Sequence, residues 1–175
     1  GIFSERPHDA AATAEVLYLD AIEPVETDPQ EIISVEPIQE EAEELEKAAV
    51  VISGGRGMGT KHGFHFLFQL AELLGGQVGG TRPAVYEGWI SPDRMIGQTG
   101  RSVRPKVLIT CGTSGAVQYT AAFQGADYVI AVNRDPNAAI FDYADLGIVG
   151  DAGIIIPRLI QALKSRGMKE EVSYA

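Results

Sequence analysis

The chain has few of the features that mark secreted, membrane or nucleic-acid-binding proteins. Its 175 residues include a single cysteine, Cys111, which excludes a disulfide within the chain and favours a reducing compartment. No run of 18 apolar residues occurs, so no membrane-spanning helix is expected. No cluster of Lys and Arg occurs either, which disfavours generic nucleic-acid binding.

The negative charge is concentrated in the first part of the chain. Residues 1–50 carry 14 acidic and 2 basic side chains, whereas residues 51–175 carry 10 acidic and 12 basic ones. The acidic run at residues 40–46 predicts the solvated face of a helix, and a docking surface for a basic partner is the second interpretation. The larger part of the chain is therefore close to neutral.

Short apolar runs alternate with amphipathic stretches along most of the chain. Buried strands are predicted at residues 48–53, 77–80, 106–111, 127–132 and 146–149, and helices at 61–74, 114–123 and 151–164. This alternation predicts an α/β domain over residues 48–175, with an open, mainly parallel sheet and helices on both faces. Residues 16–22 and 32–38 predict two strands within an N-terminal arm over residues 1–47, as the remnant of a preceding domain.

Glycine-rich and polar residues follow four of the predicted strands. These segments are SGGRGMG at 53–59, CGTSGA at 111–116, NRDP at 133–136 and GD at 150–151. Ligands of parallel sheets bind beyond the carboxyl ends of the strands, and glycines let backbone N–H groups approach a phosphate. Taken alone, the first segment is equally consistent with a tight turn, and Ser114 with a plain helix cap. Together, the four ends predict an extended phosphorylated ligand such as a dinucleotide.

The segment from residue 79 to 104 is an unusually long loop for a compact domain, with no secondary structure of its own expected. Such loops are usually functional or disordered, and the prolines and aromatic residues here predict an ordered one. Trp89 is predicted to anchor the loop by packing rather than to stack on a ligand. The loop carries polar side chains suited to a planar anionic ligand, namely Arg82, Arg94, Gln98, Thr99 and Arg101.

Other candidates for chemistry are weak. His62 and His65 are spaced i, i+3, but no carboxylate or cysteine pattern completes a metal site with them. No histidine lies near Cys111 in sequence to act as a base, so this cysteine is expected to be a small core residue. We therefore expect neither a metal nor a catalytic residue.

Four segments in order closely resemble a known family. These are SGGRGMG, the run from residue 72 to 106 that contains GQTG, CGTSGAVQY, and AVNRDPNAAIFDYADLGIVGD. They resemble the C-terminal FAD-binding domain of the electron transfer flavoprotein alpha subunit, from about residue 49 to residue 163. Residues 1–48 resemble the end of the N-terminal domain of that subunit. The resemblance implies a Rossmann-like fold, bound FAD and a heterodimer with a beta subunit.

The resemblance also implies roles for individual residues. The glycine-rich turn with Arg56 would border the FAD. Thr81 and Arg82, together with Gln98, Thr99 and Gly100, would surround the flavin ring, with Arg82 stabilising negative charge on the reduced ring. Ser114, Gly115 and Gln118 would hold the pyrophosphate and ribityl region, and Asn133 and Asp151 would reach the adenosine half.

One position departs from the family pattern. Tyr119 stands where the family usually has a histidine close to the flavin O2. A phenol with a pKa near 10 would donate only a neutral hydrogen bond, whereas an imidazolium could balance negative charge. The sequence therefore predicts weaker stabilisation of the one-electron-reduced flavin than in a histidine-bearing relative.

The resemblance implies an electron carrier and not an enzyme. It would accept electrons from a flavoprotein dehydrogenase, such as an acyl-CoA dehydrogenase, and pass them to a quinone oxidoreductase or another acceptor. A variant of this interpretation is a system that bifurcates electrons from NADH, with ferredoxin as a further partner. The expected location is the prokaryotic cytoplasm, with the mitochondrial matrix as the second possibility. The alternative function is a nucleotide-binding regulatory or scaffolding module without a redox role.

Overall fold

The structure is a computed structural model that describes residues 40–167, with side chains from residue 44 onward. Five parallel strands form one sheet in the order β2-β1-β3-β4-β5. They are β1 (Val50–Gly54), β2 (Gln77–Gly80), β3 (Val107–Cys111), β4 (Val129–Asn133) and β5 (Leu146–Val149). The predicted α/β class and parallel sheet are confirmed. The predicted strands at 16–22 and 32–38 lie outside the described residues, and the domain boundary near residue 48 stays a prediction.

Within residues 40–167, five α-helices and four 3-10 turns connect or flank the strands. The helices are α1 (Glu40–Lys47), α2 (Lys61–Leu74), α3 (Arg82–Tyr86), α4 (Val117–Thr120) and α5 (Ala152–Ser165). The 3-10 turns are Arg56–Met58, Pro92–Arg94, Ala121–Phe123 and Ala139–Tyr143. No helix in this part of the chain combines the length and the hydropathy that crossing a membrane needs.

Helix α2 follows the predicted range because its ends carry strong local signals. The Thr60 hydroxyl accepts a hydrogen bond from the Gly63 N–H at 2.9 Å, which caps the first turn. Gly75 ends the helix in the left-handed conformation, with φ +62° and ψ +36°. Between these residues Phe64 and Leu67 are fully buried against the sheet.

Both faces of the sheet are covered by helices and loops. Successive residues of a strand point to opposite faces, so neighbouring residues belong to different clusters. Ile52 and Ile109 pack against α2 and α5 on one face. Val51 and Leu108 pack on the other face, in a cluster that also contains Leu45 of α1. The acidic run is therefore a helix with one buried side. Its Glu46 carboxylate lies 3.3 Å from the Arg101 guanidinium.

Two expectations about local structure were wrong. The helix predicted from residue 114 begins at Val117, spans four residues and continues as a 3-10 turn, so Ser114 is not its N-cap. The long loop is not free of secondary structure, because it contains α3 and the Pro92–Arg94 turn. The Ile96 N–H also donates to the Gly80 carbonyl at 2.8 Å and pairs the loop with the end of β2.

Candidate functional site

A cavity of about 760 Å³ lies at the carboxyl ends of the strands. The strand order reverses between β1 and β3, which is where open parallel sheets form a crevice. The walls of the cavity are formed by the turns after β1, β3 and β4, by the two ends of the long loop, and by the start of α5. Eleven of the twelve predicted cofactor-binding residues line it, namely Arg56, Thr81, Arg82, Gln98, Thr99, Ser114, Gly115, Gln118, Tyr119, Asn133 and Asp151.

The glycines after β1 hold two turns together instead of presenting N–H groups to a phosphate. The Gly55 N–H donates to the Cys111 carbonyl and the Gly57 N–H to the Gly112 carbonyl, both at 2.9 Å. A Cβ atom at Gly55 or Gly57 would lie 2.5 or 2.6 Å from the Gly112 oxygen. The tight-turn interpretation therefore accounts for these two glycines, since their N–H groups already have partners.

The turn after β3 has the free donors that a phosphate requires. The N–H groups of Thr113, Ser114 and Gly115 have no acceptor within the described part of the chain. Gly115 adopts φ +87°, a conformation that favours glycine. The Ser114 carbonyl accepts a hydrogen bond from the Ile140 N–H at 3.2 Å, which fixes the turn against the segment that follows β4.

The two ends of the long loop meet at the cavity. A guanidinium nitrogen of Arg82 donates a hydrogen bond to the Thr99 hydroxyl. The Thr81 N–H donates to the Gly54 carbonyl at 2.9 Å, which ties the first end to β1. The Gln98 N–H donates to the Gln118 carbonyl at 2.7 Å, which ties the second end to α4. A cation and a hydroxyl are thus held together on one wall.

Two of the loop's polar residues serve the fold instead of the cavity. A guanidinium nitrogen of Arg94 donates to Gln77 Oε1 at 2.9 Å and to the Val78 carbonyl at 3.2 Å. Arg101 pairs with Glu46 of α1. Gly100 lies in a turn outside the lining, where a Cβ atom would come within 2.2 Å of the Met95 oxygen.

Charges of both signs surround the cavity. Its cations are Arg56, Arg82 and Arg134, and all three are exposed. Asp135 and Asp151 supply the carboxylates. Guanidinium groups such as those of Arg56 and Arg134, beside the N–H groups of the turn after β3, suit a diphosphate, because charge-assisted hydrogen bonds to phosphate oxygens are strong.

Asn133 and Asp151 also have structural partners. The Asn133 amide donates to the Thr113 carbonyl at 2.6 Å and accepts from the Asp135 N–H at 2.9 Å. The Asp151 carboxylate caps α5 by accepting from the Gly153 N–H at 2.8 Å. Both residues shape the wall of the cavity, and their contact with a ligand stays a prediction.

Sequence reasoning missed several residues of the wall. Thr113, Met95 and Arg134 line the cavity, although none was named as a cofactor-binding residue. Arg134 directly follows β4 in the NRDP segment, so its place at a strand end was the available signal. Thr113 carries the same signal, since it lies in the CGTSGA segment that follows β3, whereas nothing in the local sequence marks Met95.

Tyr119 is nearly fully buried, with 5% of its surface exposed, although it lines the cavity. Its hydroxyl lies 2.9 Å from Thr110 Oγ1, and its ring packs edge-on against Phe123 at 5.0 Å between centroids. Burial raises the pKa of Tyr119 to about 12, and the neighbouring Ser53 and Thr110 hydroxyls oppose the shift. The phenol is therefore neutral over the ordinary pH range.

The remaining candidates do not form a second site. Cys111 is fully buried, and burial raises the pKa of its thiol to about 12. Among residues 44–167, no three His, Cys, Asp or Glu side chains come together in a way that could hold a metal ion. Trp89 packs against Phe64 with ring centroids 6.1 Å apart, as expected for an anchor of the loop.

The fold and the cavity define a class of protein. A parallel sheet with a crevice at its switch point, basic side chains and a turn of free N–H groups is a nucleotide-binding α/β domain. The size of the cavity falls within the range of sites for small molecules and cofactors.

Comparison with known proteins gives the particular family. Residues 44–124 match the model of the electron transfer flavoprotein FAD-binding domain. Electron transfer flavoprotein subunit alpha of Thermoanaerobacterium thermosaccharolyticum is 45% identical over 133 residues, which are 76% of this chain and 40% of that protein. The subunit alpha of Clostridium acetobutylicum is 39% identical over 167 residues, 94% of this chain and 50% of that one. Protein FixB of Azotobacter vinelandii is 47% identical over 119 residues, 68% of this chain and 33% of that one.

The chain is similar to electron transfer flavoprotein alpha subunits over most of its length, and its residues 44–124 match the FAD-binding domain of that family. It spans half or less of the length of these three relatives. The cavity fits the cofactor of the family, since Arg56 and Arg134 with the Thr113–Gly115 turn suit the diphosphate of FAD. The Arg82–Thr99 pair suits a ring that gains negative charge on reduction.

Proposed function

We propose that this domain holds FAD as an electron carrier, with the flavin ring at the Arg82–Thr99 pair. The observation that carries the proposal is this pair, because it joins a permanent cation and a hydroxyl at the mouth of the crevice. FAD, when bound, supplies the redox chemistry by accepting and releasing electrons.

The chain's own residues would bind and tune the cofactor. Ser114 and Gly115 would donate N–H groups to the diphosphate, and Arg82 would place positive charge beside the ring. A fixed cation lowers the energy of the reduced, more negative ring, so it raises the reduction potential. The pair is exposed, and solvent screening therefore limits this effect.

We further propose that the whole protein works as an electron transfer subunit with an electron transfer flavoprotein beta subunit as partner. A flavoprotein dehydrogenase would be the donor, and a quinone oxidoreductase would be the acceptor. A bifurcating arrangement with NADH and ferredoxin is the variant form. The names of the matched relatives support an electron transfer role instead of a catalytic one.

The first test is whether the purified chain holds FAD. We expect a yellow protein that releases FAD on denaturation and can be reduced and reoxidised. Arg82→Ala combined with Thr99→Ala should lower FAD affinity, and Arg82→Ala alone should lower the reduction potential by roughly tens of millivolts. Arg158→Ala is the matched control, because Arg158 is an exposed arginine of α5 outside the cavity.

A colourless chain that takes up no added FAD would refute the proposal and favour the nucleotide-binding module without a redox role. An unchanged potential in Arg82→Ala would leave FAD binding intact but would refute the place of the ring beside this pair.

A further inference from the structure

Four hydroxyl groups are buried together in the wall of the cavity, and we call them the hydroxyl cluster: Ser53, Thr110, Thr113 and Tyr119. None of them is more than 5% exposed. Thr110 is the centre, since its Oγ1 lies 2.7 Å from Thr113 Oγ1 and 2.9 Å from the Tyr119 hydroxyl. The cluster joins β1, β3, the turn after β3 and α4, so it lies directly behind the candidate site.

The hydrogen-bond chemistry keeps the phenol in this cluster. A threonine hydroxyl donates one proton and accepts others, so Thr110 can serve Thr113 and Tyr119 at the same time. Ser53 Oγ is buried beside the phenol, and it is the one buried side-chain nitrogen or oxygen atom without a hydrogen-bond partner among the described residues. A phenol that left Thr110 would give up a buried hydrogen bond, which is unfavourable.

Packing also restricts the ring of Tyr119. The ring stands edge-on to Phe123, with the planes 62° apart, and both side chains belong to the same buried cluster. Thr113 is fixed from its other side, because its carbonyl accepts the hydrogen bond from Asn133. Tyr119 lines the cavity, but Thr110 does not. The phenolic oxygen is therefore hydrogen-bonded to a side chain that lies outside the cavity lining.

We propose that Thr110 is a positioning residue that holds the Tyr119 hydroxyl inside the wall, so that Tyr119 meets the bound ligand with its ring and not with its hydroxyl. Identifying the ligand as a flavin rests on the proposed function. The inference changes the expectation from sequence, in which the phenol was to donate a hydrogen bond to the flavin.

The placement of the hydroxyl is tested first without any ligand. Unfolding of the full chain is measured for Thr110→Val, Tyr119→Phe and the double variant, with Tyr128→Phe as control. Tyr128 is a half-exposed tyrosine outside the cavity, and its hydroxyl makes no hydrogen bond to the described residues. Each cluster variant should raise the unfolding equilibrium constant by roughly five- to thirty-fold, and Tyr128→Phe should leave it unchanged within error.

The double variant tests whether the hydroxyl groups of Thr110 and Tyr119 interact with each other. In the Thr110→Val background, Tyr119→Phe should raise the unfolding equilibrium constant by a several-fold smaller factor than it does in the wild type. The hydrogen bond between the two hydroxyl groups is already absent in that background. Additive effects of the two substitutions would overturn the proposed contact.

The orientation toward the ligand is tested with FAD and its visible absorption spectrum. Tyr119→Phe should keep the wild-type spectrum, whereas Thr110→Val should shift it, because the released phenol can then reach the ring. The double variant should return to the wild-type spectrum, and Thr110→Ser should preserve it, because serine restores the hydroxyl. A shift in Tyr119→Phe itself would show that the hydroxyl already contacts the flavin. No shift in Thr110→Val would show that Thr110 does not position the phenol.

The two measurements separate this inference from the proposed function. If the wild-type chain binds no FAD, the proposed function fails, and the unfolding cycle still decides whether Thr110 holds the phenol. If FAD binds but the cycle is additive, the inference fails and the proposed function stands.

Discussion

Gly115 is the residue whose substitution should disturb the site most sharply. It adopts φ +87° in the turn after β3, where the N–H groups of Thr113, Ser114 and Gly115 have no acceptor among residues 40–167. A Cβ atom there would lie 2.2 Å from the Ile140 nitrogen and 2.5 Å from the Ala139 carbonyl carbon. These are backbone atoms, so they cannot rotate out of the way as a flexible side chain could.

The cost of Gly115→Ala has two parts. The positive φ costs an alanine roughly 1–2 kcal/mol. Displacing the neighbouring backbone would also break the hydrogen bond from the Ile140 N–H to the Ser114 carbonyl, which contributes about 1 kcal/mol more. We therefore expect a loss of stability of about 2–3 kcal/mol, together with a marked loss of FAD affinity because the turn moves.

Gly75→Ala is the matched control. Gly75 also has a positive φ, +62°, but a Cβ atom there would meet no atom of the described residues within 4 Å. It should cost only the conformational part, about 1 kcal/mol, and should leave FAD affinity unchanged.

The assay is urea unfolding followed by circular dichroism and by the fluorescence of Trp89, the one tryptophan of the chain. FAD affinity is measured by titration of the folded protein. If Gly115→Ala costs no more than Gly75→Ala, the steric argument for this turn is wrong.

Three further predictions concern other parts of the site. Asp151→Ala should cost about 1 kcal/mol of stability in urea unfolding because α5 loses its cap, and Asp151→Asn should retain most of it; equal losses in the two variants would argue against capping. Cys111 should resist iodoacetamide in the folded chain at neutral pH and react after unfolding, because burial raises the pKa of its thiol to about 12; rapid labelling of the folded chain, seen by mass spectrometry, would contradict this. The free energy of unfolding should fall at alkaline pH. Burial raises the pKa of Cys111 from 9.0 and the pKa of Tyr119 from 10.0, in both cases to about 12. The unfolded chain therefore releases these two protons at lower pH than the folded chain does. The stabilisation is complete below about pH 9 and is lost as the pH rises toward 12, and Tyr119→Phe should reduce this slope; an equal slope in that variant would speak against the contribution of Tyr119.

Local sequence patterns predicted the elements whose signals are local. Helix α2 matches its predicted range because Thr60 caps its start and Gly75 ends it. Strand β5 also matches its range at residues 146–149. The predicted helix from residue 114 was too long, because Ser114 and Gly115 form a turn that is fixed by contact with Ile140, a residue distant in sequence.

The sequence alone determined the class of fold and the chemistry available at the ends of the strands. The spacing of apolar residues defines strands and helices, and the GQTG and CGTSGA segments carry the family resemblance. The tertiary structure decided which of these groups are free to act. The N–H groups of Gly55 and Gly57 donate hydrogen bonds to the carbonyls of Cys111 and Gly112. Arg94 binds Gln77, and Arg101 pairs with Glu46. Arg82 donates to the Thr99 hydroxyl at the cavity. The tertiary structure also directs the Tyr119 hydroxyl to Thr110. Hydrogen-bond partners depend on distances between residues far apart in the chain, and only the packed fold fixes those distances.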